Sequence, residues 1–285
     1  MNQGQEKTKS PSFILPPGSC DCHCHLYGPK AKYPYLPSYA TPDFEAPVES
    51  LREVHAAVGI SRAVLVHTYA HGTDNRVITD AIKSSAGAYR GIALVVFSIS
   101  DEELEKLGQA GIRGVRFTFF ARHGGPPDMA ALARLAARIQ PLGWHVVLHL
   151  GVEDFLTSFQ ALADLPSPIQ IDHMAGMDPA NGSGQEAFAK LVRLIDGGRT
   201  WVKLSGVDKM AHQSYPFADA VGLAWELMKA VPERVLWGTD WPHPNVGPHG
   251  VPDDGDLVDI IPMIAPDGKL QQRLLVQNPA ELYGY

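Results

Sequence analysis

The sequence predicts an α/β chain folded as a single (β/α)8 TIM barrel, with its active site at the C-terminal ends of the strands. Three observations point to it. Eight apolar runs of strand length alternate with helical patterns. The length, 285 residues, suits one such barrel. Polar side chains able to do chemistry recur at one end of the proposed strands.

Taken in order, residues 1–17 are polar and then proline-rich, and read as a flexible leader covering one end of a domain that spans 18–285. The first strand is CDCHCH, residues 20–25. The period of two in a strand would place Cys20, Cys22 and Cys24 on one face and Asp21, His23 and His25 on the other, toward the barrel interior. Further strands are expected at 62–68 (RAVLVHT), 90–97 (RGIALVVF), 112–118 (IRGVRFT) and 144–150 (WHVVLHL). The last three are expected at 168–172 (PIQID), 200–205 (TWVKLS) and 234–239 (RVLWGT).

Helices are expected near 47–58, 74–86, 101–110, 128–140, 153–164, 184–197, 216–231 and 270–283. In the fourth, Met129, Leu132, Leu135, Ala136 and Ile139 follow helical spacing and Asp128 is the expected N-cap. Gly59, Gly111 and Gly143 mark helix ends. The irregular stretches 26–46 and 241–269 each follow a strand, so they should lie over the catalytic face.

Composition excludes several classes of function. A formal net charge of −7 argues against a nucleic-acid surface, although local arginines can still hold an anionic small molecule. No apolar run is long enough for a transmembrane helix, and the N-terminus lacks a signal-type apolar core. The three cysteines are clustered with no spaced partners, which argues against both a disulfide framework and a zinc ribbon. A cytoplasmic protein is expected, with its oligomeric state left open.

The proposed strand ends carry Asp21, His23 and His25 on the first strand, His67, Tyr69 and His71 at the second, and Arg116 and Arg122 at the fourth. The fifth carries His149, the sixth Asp172 and His173, the seventh Lys203, Ser205 and Lys209, and the eighth Asp240 and His243. Convergence at this end of a barrel reads as an active site.

The stretches DCHCHLYGP, HGTDN, RGVRF, IDHM and WGTDWPHPN, in this order, resemble the amidohydrolase superfamily in its amidohydrolase-2 branch. Within it they are similar to pyrone-dicarboxylate lactonases and muconolactone hydrolases, from Cys20 to the closing NPAELYG. The resemblance implies a hydrolase that opens an anionic lactone in aromatic-compound degradation. It implies catalytic roles for His23, His25, His173 and Asp240, with Asp240 as general base. Arg116 and Arg122 would hold substrate carboxylates, with Tyr39 a loop contact. The chemistry agrees: a carboxylate can deprotonate water, and guanidinium groups bind carboxylate or sulfonate in bidentate fashion.

Three positions depart from the lactonase pattern. His149 stands where a tyrosine is expected, Lys209 where an arginine is, and Tyr69 where a serine is. All three are assigned to substrate binding. With His23, His25 and Asp240, His149 would complete a set of three nitrogens and one oxygen suited to zinc, or to manganese, while a metal-free mechanism stays open. A metal-dependent decarboxylase on the same fold is the alternative reading. His67, His71 and His145 are expected to be structural, and the role of His243 is open.

Overall fold

The computed structural model describes residues 8–37, 39 and 44–285. Eight parallel strands pair in chain order. They are β1 (Cys20–Cys24), β2 (Arg62–Val66), β3 (Tyr89–Ala93), β4 (Ile112–Thr118), β5 (His145–His149), β6 (Ile169–Ile171), β7 (Thr200–Lys203) and β8 (Val235–Leu236). Parallel neighbours need crossovers. The first six are α1 (Val48–Val58), α2 (Arg76–Lys83), α3 (Asp101–Gln109), α4 (Met129–Ile139), α5 (Val152–Ala163) and α6 (Glu186–Asp196). A short α7 (Val207–Met210) and then α8 (Ala218–Ala230) link β7 to β8. Each expected strand and helix has its counterpart. Asp128 caps α4 by accepting from Ala130 and Ala131, and Gly59 ends α1 in the left-handed conformation.

Two segments differ from expectation. The stretch 241–269 is not wholly irregular: it holds α9 (Asp254–Asp259) and α10 (Ile261–Ile264), which are too short to show periodicity. The expected helix 270–283 is broken into α11 (Gly268–Gln272), a π-helical turn (Arg273–Gln277) and α12 (Asn278–Tyr283). Pro279 has no N–H to bond the carbonyl one turn back, which is a physical reason for the break. Of the expected leader, residues 1–7 lie outside the described residues. Beyond them, the backbone N–H groups of Lys9 and Phe13 donate to Asp253 and Asp259, and Lys9 pairs with Asp256 at 2.8 Å. Among the described residues no helix is long and apolar enough to cross a membrane.

The face assignment of β1 needs correction. Cys20 and Cys22 cluster with Val64, Val66, Ile92, Val147, Trp201, Leu236 and Tyr283. Only the barrel interior brings those strands together, so these two cysteines face inward. Asp21 faces outward, where its carboxylate meets His55 of α1 at 3.3 Å. A register shift between Asp21 and Cys24 then inverts the alternation. Beyond it His23 and His25 face the interior, while Cys24 joins the outer core. The bulge is invisible to a strict period of two.

The same segment closes the barrel. Cys22 donates to Trp237 O at 2.9 Å, Asp240 to His23 O at 2.8 Å and His25 to Trp241 O at 2.8 Å. The Asp21 carboxylate accepts from Thr239 N (3.1 Å), Thr239 Oγ1 (2.6 Å) and His23 N (2.9 Å). Gly238 permits this approach, since a Cβ there would lie 2.6 Å from His23 N. At the other end of the barrel, the Tyr285 hydroxyl donates to Ala63 O at 2.7 Å and Tyr283 is fully buried among the interior residues.

Removing the Asp21 carboxylate leaves two buried N–H groups without an acceptor and opens the seam. Asp21→Ala should lower unfolding stability by roughly 3–5 kcal/mol in urea titration. A loss below about 1 kcal/mol would mean that the backbone bonds close the seam unaided.

Candidate active site

A pocket opens at the C-terminal ends of the strands, lined among others by His25, Tyr39, Tyr69, Arg116, Arg122, His149, His173, Lys209 and Asp240. Nine of the ten residues singled out from the sequence thus line one cavity. The tenth, His23, lies directly beneath it, fully buried.

At the floor His23 Nε2 and His25 Nε2 stand 3.2 Å apart. Asp240 Oδ1 lies 3.0 Å from the second and 3.5 Å from the first. The seam sets these distances, because β1 and the residue after it supply the two histidines and the chain leaving β8 supplies Asp240. Asp240 takes a left-handed backbone conformation (φ 64°), as do His173 to Ala175 after β6. Such strain in residues other than glycine clusters at functional sites. Lys209 also pairs with Asp240, through Oδ2. Burial would raise the Asp240 carboxyl, but Lys209, His173, His25 and His23 outweigh it and hold it well below the usual carboxylate range.

The His23, His25 and Asp240 donor atoms suit a divalent ion. A tetrahedral ion bound at about 2.0–2.1 Å sets neighbouring ligand atoms about 3.3 Å apart, close to the spacings seen. These three residues form one of the candidate metal-holding groups among the described residues. His149 does not join that group, because β5 holds it farther round the barrel. It packs against Phe120 and His173, with ring centres at 4.6 and 5.6 Å, and its Nδ1 is buried without a partner among the described residues. Burial, together with Arg116 and His173, keeps His149 neutral, well below the usual histidine range.

Beneath this cluster runs a network of buried charge. Asp172 is fully buried and accepts from Arg116 Nε at 3.0 Å and Gln170 Nε2 at 3.0 Å. Lys203, also fully buried, stands 3.4 Å from Asp172 and 3.0 Å from His23 Nδ1. Burial opposes ionisation of Asp172, but Lys203, His23 and Arg116 together hold its carboxyl far below the usual range. Arg116 therefore spends its Nε on Asp172 while lining the pocket. Burial and Lys203 lower His23, which stays neutral. His173 is lowered to about 4, first by burial, and its Nδ1 lies 2.9 Å from Ser205 Oγ.

The rim holds the remaining expected residues. Arg122 is exposed and its Nε donates to His123 Nε2 at 3.1 Å. The His123 ring stacks on Tyr69 (4.4 Å) and faces Tyr39 (6.2 Å). Sequence reading missed His123, although its place beside Arg122 in the loop after β4 was a usable signal. Tyr69 lines the pocket, with its buried hydroxyl beside the Thr118 side chain. His71 bonds to Pro34 O and the Gly28 N–H, anchoring the loop after β1. His243 is buried and pairs with Asp254 at 3.3 Å, away from the pocket lining.

A family model described as amidohydrolase matches residues 20–285. The chain is 40% identical to a 2-pyrone-4,6-dicarboxylate hydrolase of Comamonas testosteroni, over 96% of this chain and 92% of the relative. It is 37% identical to a 4-sulfomuconolactone hydrolase of Hydrogenophaga intermedia, over 95% and 90%. A crystal structure from Agrobacterium tumefaciens superposes with a TM-score of 0.86 at 28% identity, covering 96% of this chain and 98% of that one.

Two buried histidines outside the pocket make stability depend on pH. His67 and His145 are fully buried, and burial outweighs their backbone contacts with Gly72 and Arg113 and lowers both to about 3 from 6.5. Below pH 6.5 the unfolded chain binds protons that the folded chain refuses, so stability should fall from there toward pH 3. Each ring contributes at most about 1.4 kcal/mol per pH unit. The urea midpoint should drop between these limits, and less steeply in His145→Phe. An unchanged slope in that variant would contradict a neutral, buried His145.

Proposed function

The chain belongs to the amidohydrolase family, and we propose that it hydrolyses the ring of a small anionic lactone of pyrone-dicarboxylate or sulfomuconolactone type. The observation that carries this reading is the pocket that joins Asp240 and the rings of His25, His123, His149 and His173 to Arg116, Arg122 and Lys209. Named relatives at 40% and 37% identity act on lactones of this kind.

In this reading Asp240, anionic at neutral pH, takes a proton from water. The resulting hydroxide attacks the lactone carbonyl carbon. The ring C–O bond breaks as the tetrahedral intermediate collapses, and Asp240 returns its proton to the leaving oxygen. His25 and His173 border the place where the oxyanion forms, and His23 supports them from below. Arg116, its Nε fixed on Asp172, presents its remaining N–H groups to a carboxylate or sulfonate, and Arg122 offers a second anchor at the rim. Lys209 is the cation an incoming anion would draw from Asp240, freeing the base. Tyr39, Tyr69 and His149 shape the walls. A divalent ion, zinc first, held by His23, His25 and Asp240 would supply Lewis-acid polarisation of the carbonyl when bound. A soluble cytoplasmic enzyme fits three free, buried cysteines.

The test is turnover of a panel of carboxylated and sulfonated lactones, followed by base consumption. Asp240→Asn should lower kcat by about a thousandfold or more. Arg116→Met should raise KM roughly ten- to a hundredfold with a smaller effect on kcat. Full activity in Asp240→Asn would refute the assignment. Release of CO2 in place of base-consuming ring opening would point to decarboxylation.

A further inference from the structure

Among the described residues, Lys203 is a buried cation that the proposed chemistry leaves without a role. It is fully buried in the barrel interior, at the end of β7, and no part of it lines the pocket. Its nearest polar neighbour is His23 Nδ1 at 3.0 Å. Asp172 Oδ1 stands farther off, 3.4 Å from both Lys203 Nζ and His23 Nδ1.

The proton inventory follows from these distances. An ammonium group only donates and a carboxylate only accepts. At 3.0 Å, the Lys203 ammonium is the closer partner of His23 Nδ1, and Asp172 stands farther off at 3.4 Å. His23 Nδ1 therefore accepts, and the proton of the neutral ring resides on Nε2. That N–H points between His25 Nε2, 3.2 Å away, and Asp240 Oδ1, 3.5 Å away. His25 in turn places its Nδ1–H on Val66 O at 2.7 Å, and its Nε2 stands 3.0 Å from Asp240 Oδ1. Lys203 thus donates to one nitrogen of His23, and the N–H on the other faces the pair formed by His25 and Asp240.

We propose that Lys203 is a positioning residue that sets the tautomer of His23, so that Nε2 presents an N–H, not a lone pair, to the reaction centre. The consequence concerns metal as well as catalysis. A metal-binding His23 needs its lone pair on Nε2 and its proton on Nδ1, donated to a carboxylate. Asp172 is placed to receive that proton once the lysine is gone. Lys203 thereby biases the floor of the site toward a proton and against a metal ion. The inference builds on the site proposed above, but its test uses no substrate, so it stands or falls apart from lactone turnover.

The experiment records long-range proton–nitrogen spectra of the full chain carrying 15N-labelled histidine, after dialysis against chelator. His23 is assigned by the signals lost in His23→Asn. Zinc dissociation constants are measured in parallel for wild type and Lys203→Met. The expected result is a wild-type His23 protonated on Nε2, moved to Nδ1 in Lys203→Met, with zinc bound at least about tenfold more tightly by the variant. A wild-type His23 protonated on Nδ1 overturns the proposal even if the variant does not fold. An unchanged tautomer and an unchanged zinc affinity in a folded Lys203→Met also overturn it.

Discussion

The seam between the first and last strands is the constraint on which the site depends. β8 has two residues in regular pairing, Val235 and Leu236. Closure therefore falls to the segment that follows it, bonded to β1 through backbone groups and through the outward-facing Asp21 carboxylate. That carboxylate binds both Thr239 and the His23 N–H, so one side chain sets the separation of the chain carrying the histidine pair from the chain carrying Asp240. Atoms more than two hundred positions apart in sequence then meet at 3.0 Å.

Below the histidines the barrel carries a cluster of three buried ions. Asp172 lies between Arg116 and Lys203, each fixing a different part of the site. Through Arg116 it orients a group on the pocket wall, and through Lys203 it is tied to His23. Isolated buried charges are expensive, and removing one member of such a set leaves the others uncompensated. The order of this floor is therefore coupled to the stability of the barrel. Gln170 extends the network downward, accepting at Oε1 from the Tyr283 hydroxyl at 2.7 Å, so the C-terminal helix reaches the same polar axis.

The positions that depart from the lactonase pattern now have physical surroundings. Lys209 pairs with Asp240, a place where a compact ammonium fits beside one carboxylate oxygen. Tyr69 backs onto His123 at the pocket wall. His149 is held by Phe120 and His173, apart from the metal-suited trio. These three side chains line the same pocket as Asp240 and His25.

Much was legible from sequence. Alternating apolar runs and helical stripes disclosed the barrel, because burial imposes periods of two and 3.6 on any chain that packs this way. Asp128 and Gly59 marked helix ends through local hydrogen bonding and backbone freedom, which need no tertiary partner. The site residues were legible for a topological reason: in such a barrel every strand end points to one face. Three matters were not. The bulge in β1 reverses which side chains face inward, and no local pattern announces it. The short helices after β8 lie below the length at which periodicity speaks. Partner choice was hidden as well: Arg116 with Asp172, Lys203 with His23, Lys209 with Asp240. The sequence by itself determined the fold class and the chemical groups on the catalytic face, because both follow from local periodicity. Only the tertiary structure decided which groups pair, since hydrogen-bond and ionic partners are selected by distances of a few tenths of an ångström set when the barrel closes.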